Sequence, residues 1–97
     1  MTIKLSDSTA ENMGCGMFVV LQPDADLGKM QNVVLSERDI AAMRASTALT
    51  LSLEDGEAHY MGDDHWTVLQ RDTSAQEPQS VVLCREDLNA MMAHSEA

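Results

Sequence analysis

Val33-Val34-Leu35-Ser36-Glu37-Arg38-Asp39-Ile40-Ala41-Ala42-Met43 is a short apolar run that passes at once into an amphipathic pattern. It recurs 48 positions later as Val81-Val82-Leu83-Cys84-Arg85-Glu86-Asp87-Leu88-Asn89-Ala90-Met91. Both copies read as a strand leading into a helix. Ser36 suits the N-cap, and Asp39 stands three residues on, where a capping box places its acidic partner. Cys84 takes the cap position in the second copy, which weakens that helix start by ~1 kcal/mol. Glu86 and Asp87 still put carboxylates at the positive end of the helix dipole. Ile40 and Met43 in one helix, and Leu88, Met91 and Met92 in the other, make the buried stripes.

The match extends outward to the whole chain. Residues 1–48 aligned on 49–96 without gaps give 18 identities, among them Leu5/Leu53, Gly14/Gly62, Gln22/Gln70, Gln31/Gln79, Asp39/Asp87 and the two Val-Val-Leu triplets. A unit too small to bury its own apolar face is stabilised by stacking on a copy of itself. Each unit reads as three strands and a helix, with a short fourth segment. Residues 2–5 and 49–53 alternate like half-buried strands, and residues 17–22 and 65–70 are the longest strands. Residues 10–13 and 58–61 are short return segments, and residues 32–35 and 80–83 lead into the helices. Asp55-Gly56 is a hairpin signal requiring positive φ at both central residues. Asp7-Ser8-Thr9 predicts a looser hairpin in the first copy. Phe18-Val19-Val20-Leu21 is apolar on both faces and predicts a strand covered on both sides. The expected fold is α+β: a tandem duplication of a β-β-β-α unit with a pseudo-twofold axis. It would be a single domain over residues 1–97, made of repeats 1–48 and 49–97. The sheet would be mainly antiparallel, with both helices on one face.

The chain has 97 residues and a formal net charge of -10. Its three aromatics, Phe18, Tyr60 and Trp66, leave the eight methionines with Leu, Val and Ala to fill the interior. The charge is uneven: residues 1–48 hold six acids and four bases, whereas residues 49–97 hold ten acids against Arg71 and Arg85. Such a field repels nucleic acid and anionic membranes and attracts basic surfaces. No apolar run is long enough to span a bilayer. The N-terminus lacks the basic-then-apolar pattern of a secretory signal. Cys15 and Cys84 stand opposite Asp63 and Ser36 in the alignment, so neither belongs to the repeated plan. They read as reduced thiols of a cytoplasmic protein, Cys84 as a small buried apolar side chain.

His59, Asp63, Asp64 and His65 are the densest group of metal-ligand types. Their spacing fits no zinc signature, and acids in a glycine turn are ordinarily solvated, so no metal or other cofactor is expected. No nucleophile elbow, phosphate-binding glycine loop or His-Glu-x-x-His is present, and no catalytic residue is assigned. The acidic turns of the second copy are the expected partner-binding surface, with Glu54, Asp55, Glu57, Asp63, Asp64, Asp72 and Glu77 as its candidate residues. Carboxylates spread along a surface can occupy the places of nucleic-acid phosphates in front of Lys and Arg. The expected function is therefore that of a small non-enzymatic binding or inhibitory protein. It would engage a basic surface of a partner, such as a nucleic-acid-binding protein. Bacteriophage anti-defence proteins, including anti-CRISPR inhibitors, are of this type, an analogy of size and charge alone. Two alternatives stand beside it. One is a small-molecule or metal-binding module with a pocket between the repeats, lined by Phe18, Trp66, Tyr60 and methionines. The other is a structural homodimer built on the uncovered sheet face.

Overall fold

The computed structural model describes residues 2–24, 28–46, 48–70 and 78–95. The fold is α+β. Four strands, β1 (Thr2–Lys4), β2 (Thr9–Gly14), β3 (Met17–Asp24) and β4 (Lys29–Ser36), form an antiparallel meander followed by helix α1 (Glu37–Ala45). A second meander follows: β5 (Thr50–Leu53), β6 (Gly56–Gly62), β7 (His65–Gln70) and β8 (Gln79–Cys84), then helix α2 (Arg85–Ser95). Each sheet thus has four strands, where the sequence predicts three with a short fourth segment. The return segments are full strands, because every residue from Thr9 to Asn12, and from Gly56 to Tyr60, finds a register partner on a neighbouring strand.

One face of each sheet enters a common core. Phe18, Val20, Val33 and Leu35 from the first sheet, and Val68, Val81 and Leu83 from the second, are fully buried beside Ile40, Met43, Leu88 and Met91 of the helices. The helices pack on each other and beside the strands they follow, and α2 also lies on β1 and β2. Two expectations are corrected. The Phe18–Leu21 stretch is not covered on both sides: Phe18 and Val20 point inward, while Val19 and Leu21 are half-buried on the outer face. Nor do methionines fill the interior. Met43 and Met91 do, but Met13, Met30 and Met61 are more than half exposed. Ile, Val and Leu side chains from both strands and helices, with Phe18 and Trp66, supply most of it instead.

The hairpin signal is also corrected. Leu53 pairs with Gly56, so the turn residues are Glu54 and Asp55, and Gly56 has no positive φ. Gly56 is needed for space, since a Cβ there would run into the Leu69 carbonyl and the Gln70 side chain. The first hairpin is closed in the same way, with Leu5 N–H donating to the Ser8 carbonyl at 2.9 Å.

The two sheets do not share a backbone ladder. β4 and β8 lie against each other, and the outward N–H and C=O groups on their free edges are met by glutamine side chains from the opposite sheet. The Gln70 amide both donates to the Val34 carbonyl (2.6 Å) and accepts from Val34 N–H (3.0 Å). The Gln22 amide does the same at Val82, at 3.0 and 2.9 Å. Gln79 accepts from Asn32 N–H (3.0 Å) and Gln31 from Ser80 N–H (3.1 Å). A primary amide carries a donor and an acceptor side by side, so it replaces one residue of a neighbouring strand. Gln31, Gln70 and Gln79 are buried, where an unpaired amide would be costly. Gln70→Ala strips both partners from Val34 and is expected to cost about 2 kcal/mol, lowering Tm by ~8–16 °C. Gln22→Ala, at a more exposed contact, should cost about half of that by the same thermal-melt measurement.

Candidate functional site

The turns joining β2 to β3 and β6 to β7 are built alike. A register shift at Met13 and at Met61 precedes each turn. The two central residues, Cys15 and Gly16 or Asp63 and Asp64, all have positive φ, as a type I′ turn requires. This geometry matches the right-handed twist of the flanking strands, but only glycine adopts it without strain. Asp63 (φ 53°) and Asp64 (φ 60°) are consecutive non-glycine residues in the left-handed region. Aspartate tolerates that region better than most side chains do.

Each turn is then fixed to a helix start. Glu37 N–H donates to the Gly16 carbonyl at 2.8 Å, and Arg85 N–H to the Asp64 carbonyl at 2.9 Å, which satisfies an otherwise orphaned first-turn donor. Ser36 and Asp39 form the expected capping box. In α2 only its reverse arm persists, with Cys84 N–H donating to Asp87 Oδ2 at 3.1 Å. Asp39 and Asp87 are both buried and make one further bond each, to the other half of the chain. Asp39 Oδ1 accepts from Glu54 N–H (3.1 Å), and Asp87 Oδ1 accepts from Ser6 N–H (2.9 Å). Each helix start therefore holds the first hairpin of the opposite sheet.

Three segments converge in this way at two places and leave a groove at each. The first groove, about 290 Å³, is lined by Cys15, Gly16, Met17, Ser36, Glu37, Arg38 and Glu54. The second, about 520 Å³, is lined by Ser6, Asp63, Asp64, His65, Cys84, Arg85, Glu86 and Asn89. Arg85 organises the second. Its Nε donates to Asp64 Oδ1 (3.2 Å), its Nη1 donates to the Arg44 carbonyl (3.1 Å), and its guanidinium lies 5.2 Å from the Trp66 ring centroid. Tyr60 supports the same corner: its hydroxyl accepts from Asp64 N–H at 3.1 Å, and its ring sits 5.2 Å from that of Trp66.

The structure divides the acidic candidates between the two grooves. Asp63 and Asp64 are exposed in the second, beside Glu86. Glu54 lines the first, with Arg38 Nη1 4.0 Å from its carboxylate, and exposed Asp55 follows it in the same turn. Glu57 is half-buried on β6, with Oε1 3.4 Å from His59 Nε2. Asp72 and Glu77 lie outside the described residues. The metal-ligand group is dispersed. His59 faces Glu57 and Thr50, whereas the His65 ring Nδ1–H donates to the Asp63 carbonyl at 2.7 Å. Among the described residues, no three His, Cys, Asp or Glu side chains are placed to hold a metal ion. Phe18 and Trp66 are buried in the core, and neither lines the two grooves. Cys84 is half-buried at the second groove, its Sγ 3.5 Å from Ser6 Oγ, and so is not the fully buried thiol expected.

Sequence reasoning missed Arg85 and Ser6. Arg85 carries a signal, because it stands where the first copy has Glu37. Ser6 carries none, since its place depends on a contact between the two halves. Replacing Asp63-Asp64 by the Asn-Gly pair that this turn prefers is expected to raise stability by about 1 kcal/mol. The lost Arg85 contact is exposed and worth little. A chemical-denaturation midpoint unchanged or lowered by Asp63→Asn/Asp64→Gly would show that the turn is not strained.

No protein-family model, curated protein or solved structure matches this chain.

Proposed function

We propose that the chain is a tandem duplication whose two units, residues 1–48 and 49–97, form one domain about a pseudo-twofold axis. We further propose that it acts as a non-enzymatic binding protein, through the acidic second unit. The reciprocal contacts support the first part. Gln22, Gln31 and Asp39 make the same bonds as Gln70, Gln79 and Asp87, each to main-chain atoms of the other unit.

One observation carries the second part. The exposed carboxylates of the second unit stand at both ends of its strands, with Asp55 at one and Asp63, Asp64 and Glu86 at the other. Among the described residues of this unit, Arg85 is the one Lys or Arg, and it is already engaged by Asp64 and the Arg44 carbonyl. A surface of this sign attracts Lys- and Arg-rich partners over about a Debye length and is excluded from nucleic acid and anionic lipid. The partner class is a basic surface shaped for phosphates, such as that of a nucleic-acid-binding protein or complex. Inhibition by phosphate mimicry, as in small phage anti-defence proteins of the anti-CRISPR type, follows from that chemistry. The setting is the cytoplasm. No helix among the described residues is long and apolar enough to cross a membrane.

The second groove favours one other reading. It is about 520 Å³ and is walled by both units, since Ser6 comes from the first. A small polar ligand could lie between Arg85 and the Cys84–Ser6 edge. A thermal-shift screen with nucleotides and divalent metals separates the readings, because a melting rise at millimolar ligand supports the groove. The surface reading is tested with Asp55→Asn/Asp63→Asn/Asp64→Asn, which removes three charges while keeping side chains that accept a left-handed backbone. Binding to a panel of immobilised nucleic-acid-binding proteins, competed by duplex DNA, is expected to weaken about tenfold or more in the variant. It should also lose much of its salt dependence. Equal binding by the variant and the native chain would exclude these acids as the contact surface.

A further inference from the structure

The glutamine and buried-aspartate bonds that join the two units share one property. The bonds of Gln22, Gln31, Gln70, Gln79, Asp39 and Asp87 described above end on main-chain atoms of the other unit: at Asn32 and Val34, at Ser80 and Val82, at Ser6 and at Glu54. Main-chain donors and acceptors are the same whichever residue carries them. The partner of Gln22 could therefore be Val34 of another first unit as well as Val82. The partner of Asp39 could be Ser6 N–H as well as Glu54 N–H. The apolar positions obey the same rule. Each buried hydrophobic residue of the first unit has an apolar counterpart in the second: Ile3/Leu51, Leu5/Leu53, Ala10/Ala58, Phe18/Trp66, Val20/Val68, Val33/Val81, Leu35/Leu83, Ile40/Leu88 and Met43/Met91.

We propose that the face by which residues 1–48 hold residues 49–97 is self-complementary, and that it also fits a second copy of residues 1–48 from another chain. This rests on the duplication reading given above. The face is isologous in the sense that, turned about a twofold axis, the amide row of each copy meets the backbone edge of the other. In the intact chain the short connection between α1 and β5 holds the second unit at an effective concentration in the millimolar range. The intramolecular pairing therefore prevails, and the self-pairing is revealed only when the connection is cut.

Charge ranks the pairings. With net charges of -2 on residues 1–48 and -8 on residues 49–97, a first-unit pair carries the least charge and a second-unit pair the most. Repulsion between two second units falls with added salt. The expected order at low salt is the native pairing and the first-unit homodimer well ahead of the second-unit homodimer, which gains as salt is raised.

The test starts from the full chain with a site-specific protease sequence inserted between Thr47 and Ala48. After cleavage, the protein is unfolded, refolded and examined by native mass spectrometry. The expected spectrum contains the native heteropair and a homodimer of the first fragment. Gln22→Ala gives a second reading, because the residue enters the heteropair once and the homodimer twice. The heteropair should weaken about fivefold and the homodimer about 25-fold. A spectrum holding the heteropair alone overturns self-complementarity and leaves the duplication intact, as does a homodimer no more sensitive to Gln22→Ala than the heteropair. Fragments that separate and stay unfolded overturn it as well. The duplication reading fails by a different measurement: NMR of the intact chain showing no hydrogen bond between the Gln22 side chain and Val82, or between Gln70 and Val34.

Discussion

Two unpaired sheet edges set the terms for this structure. A meander of four strands has an edge at each end, and an open edge of outward N–H and C=O groups recruits other chains. Here the last edge of each sheet is closed by glutamine amides that rise from the inner face of the other sheet. Gln22 pairs in register with Gln31, and Gln70 with Gln79, so each sheet contributes one row of two amides to the opposite edge. The arrangement fixes which strands lie together and at what register, because shifting the contact by one residue would present the amides to side chains. An apolar contact between the same strands would bury area but leave the backbone groups of Val34 and Val82 unpaired.

The helix starts extend the same solution. A helix leaves its first N–H groups without partners, and a tight hairpin leaves some of its own. Asp39 and Asp87 serve both needs at once. Each carboxylate accepts from the residue that opens its own helix and from the first hairpin of the other sheet. Burial of a charged group is tolerated where such bonds replace water. The consequence reaches the grooves, since the hairpins held in this way form one wall of each.

Much of the fold could be read from the sequence, because a strand running into a helix leaves a change of apolar period at Val33–Met43 and again at Val81–Met91. The helix cap at Ser36 was legible for the same local reason. What the pattern hid was non-local. Gln22/Gln70, Gln31/Gln79 and Asp39/Asp87 are visible as identical polar pairs, yet nothing in the spacing says that they bond across the boundary rather than lie on the surface. The Asp55-Gly56 turn misled because glycine has two uses, left-handed φ and close approach, and the sequence does not distinguish them. The truly left-handed turn at Asp63-Asp64 was legible as a turn beside Gly62, but it lacks the glycine that normally takes its second central position. That the acidic turns of the second half fall at opposite strand ends was legible from the order of the strands, but their docking was not, since Glu54 and Asp63 lie against different helix starts.

The same contacts bear on where residues 1–48 and 49–96 agree and differ when aligned. A position that bonds to the other unit's backbone or fills the shared core is held by two sets of neighbours, and the identities concentrate there. Most turn and helix-start side chains face the open grooves, although Arg85 also bonds to the backbone of the first half at the Arg44 carbonyl. There Cys15-Gly16 stands against Asp63-Asp64, and Glu37-Arg38 against Arg85-Glu86. Introducing two carboxylates into a left-handed turn at a helix start adds local repulsion and backbone strain. Arg85 answers part of it, by pairing with Asp64 while it rests on Trp66, the larger aromatic that replaces Phe18. Cation, ring and acid form one local unit at this corner, with Tyr60 closing it against Trp66 and Asp64.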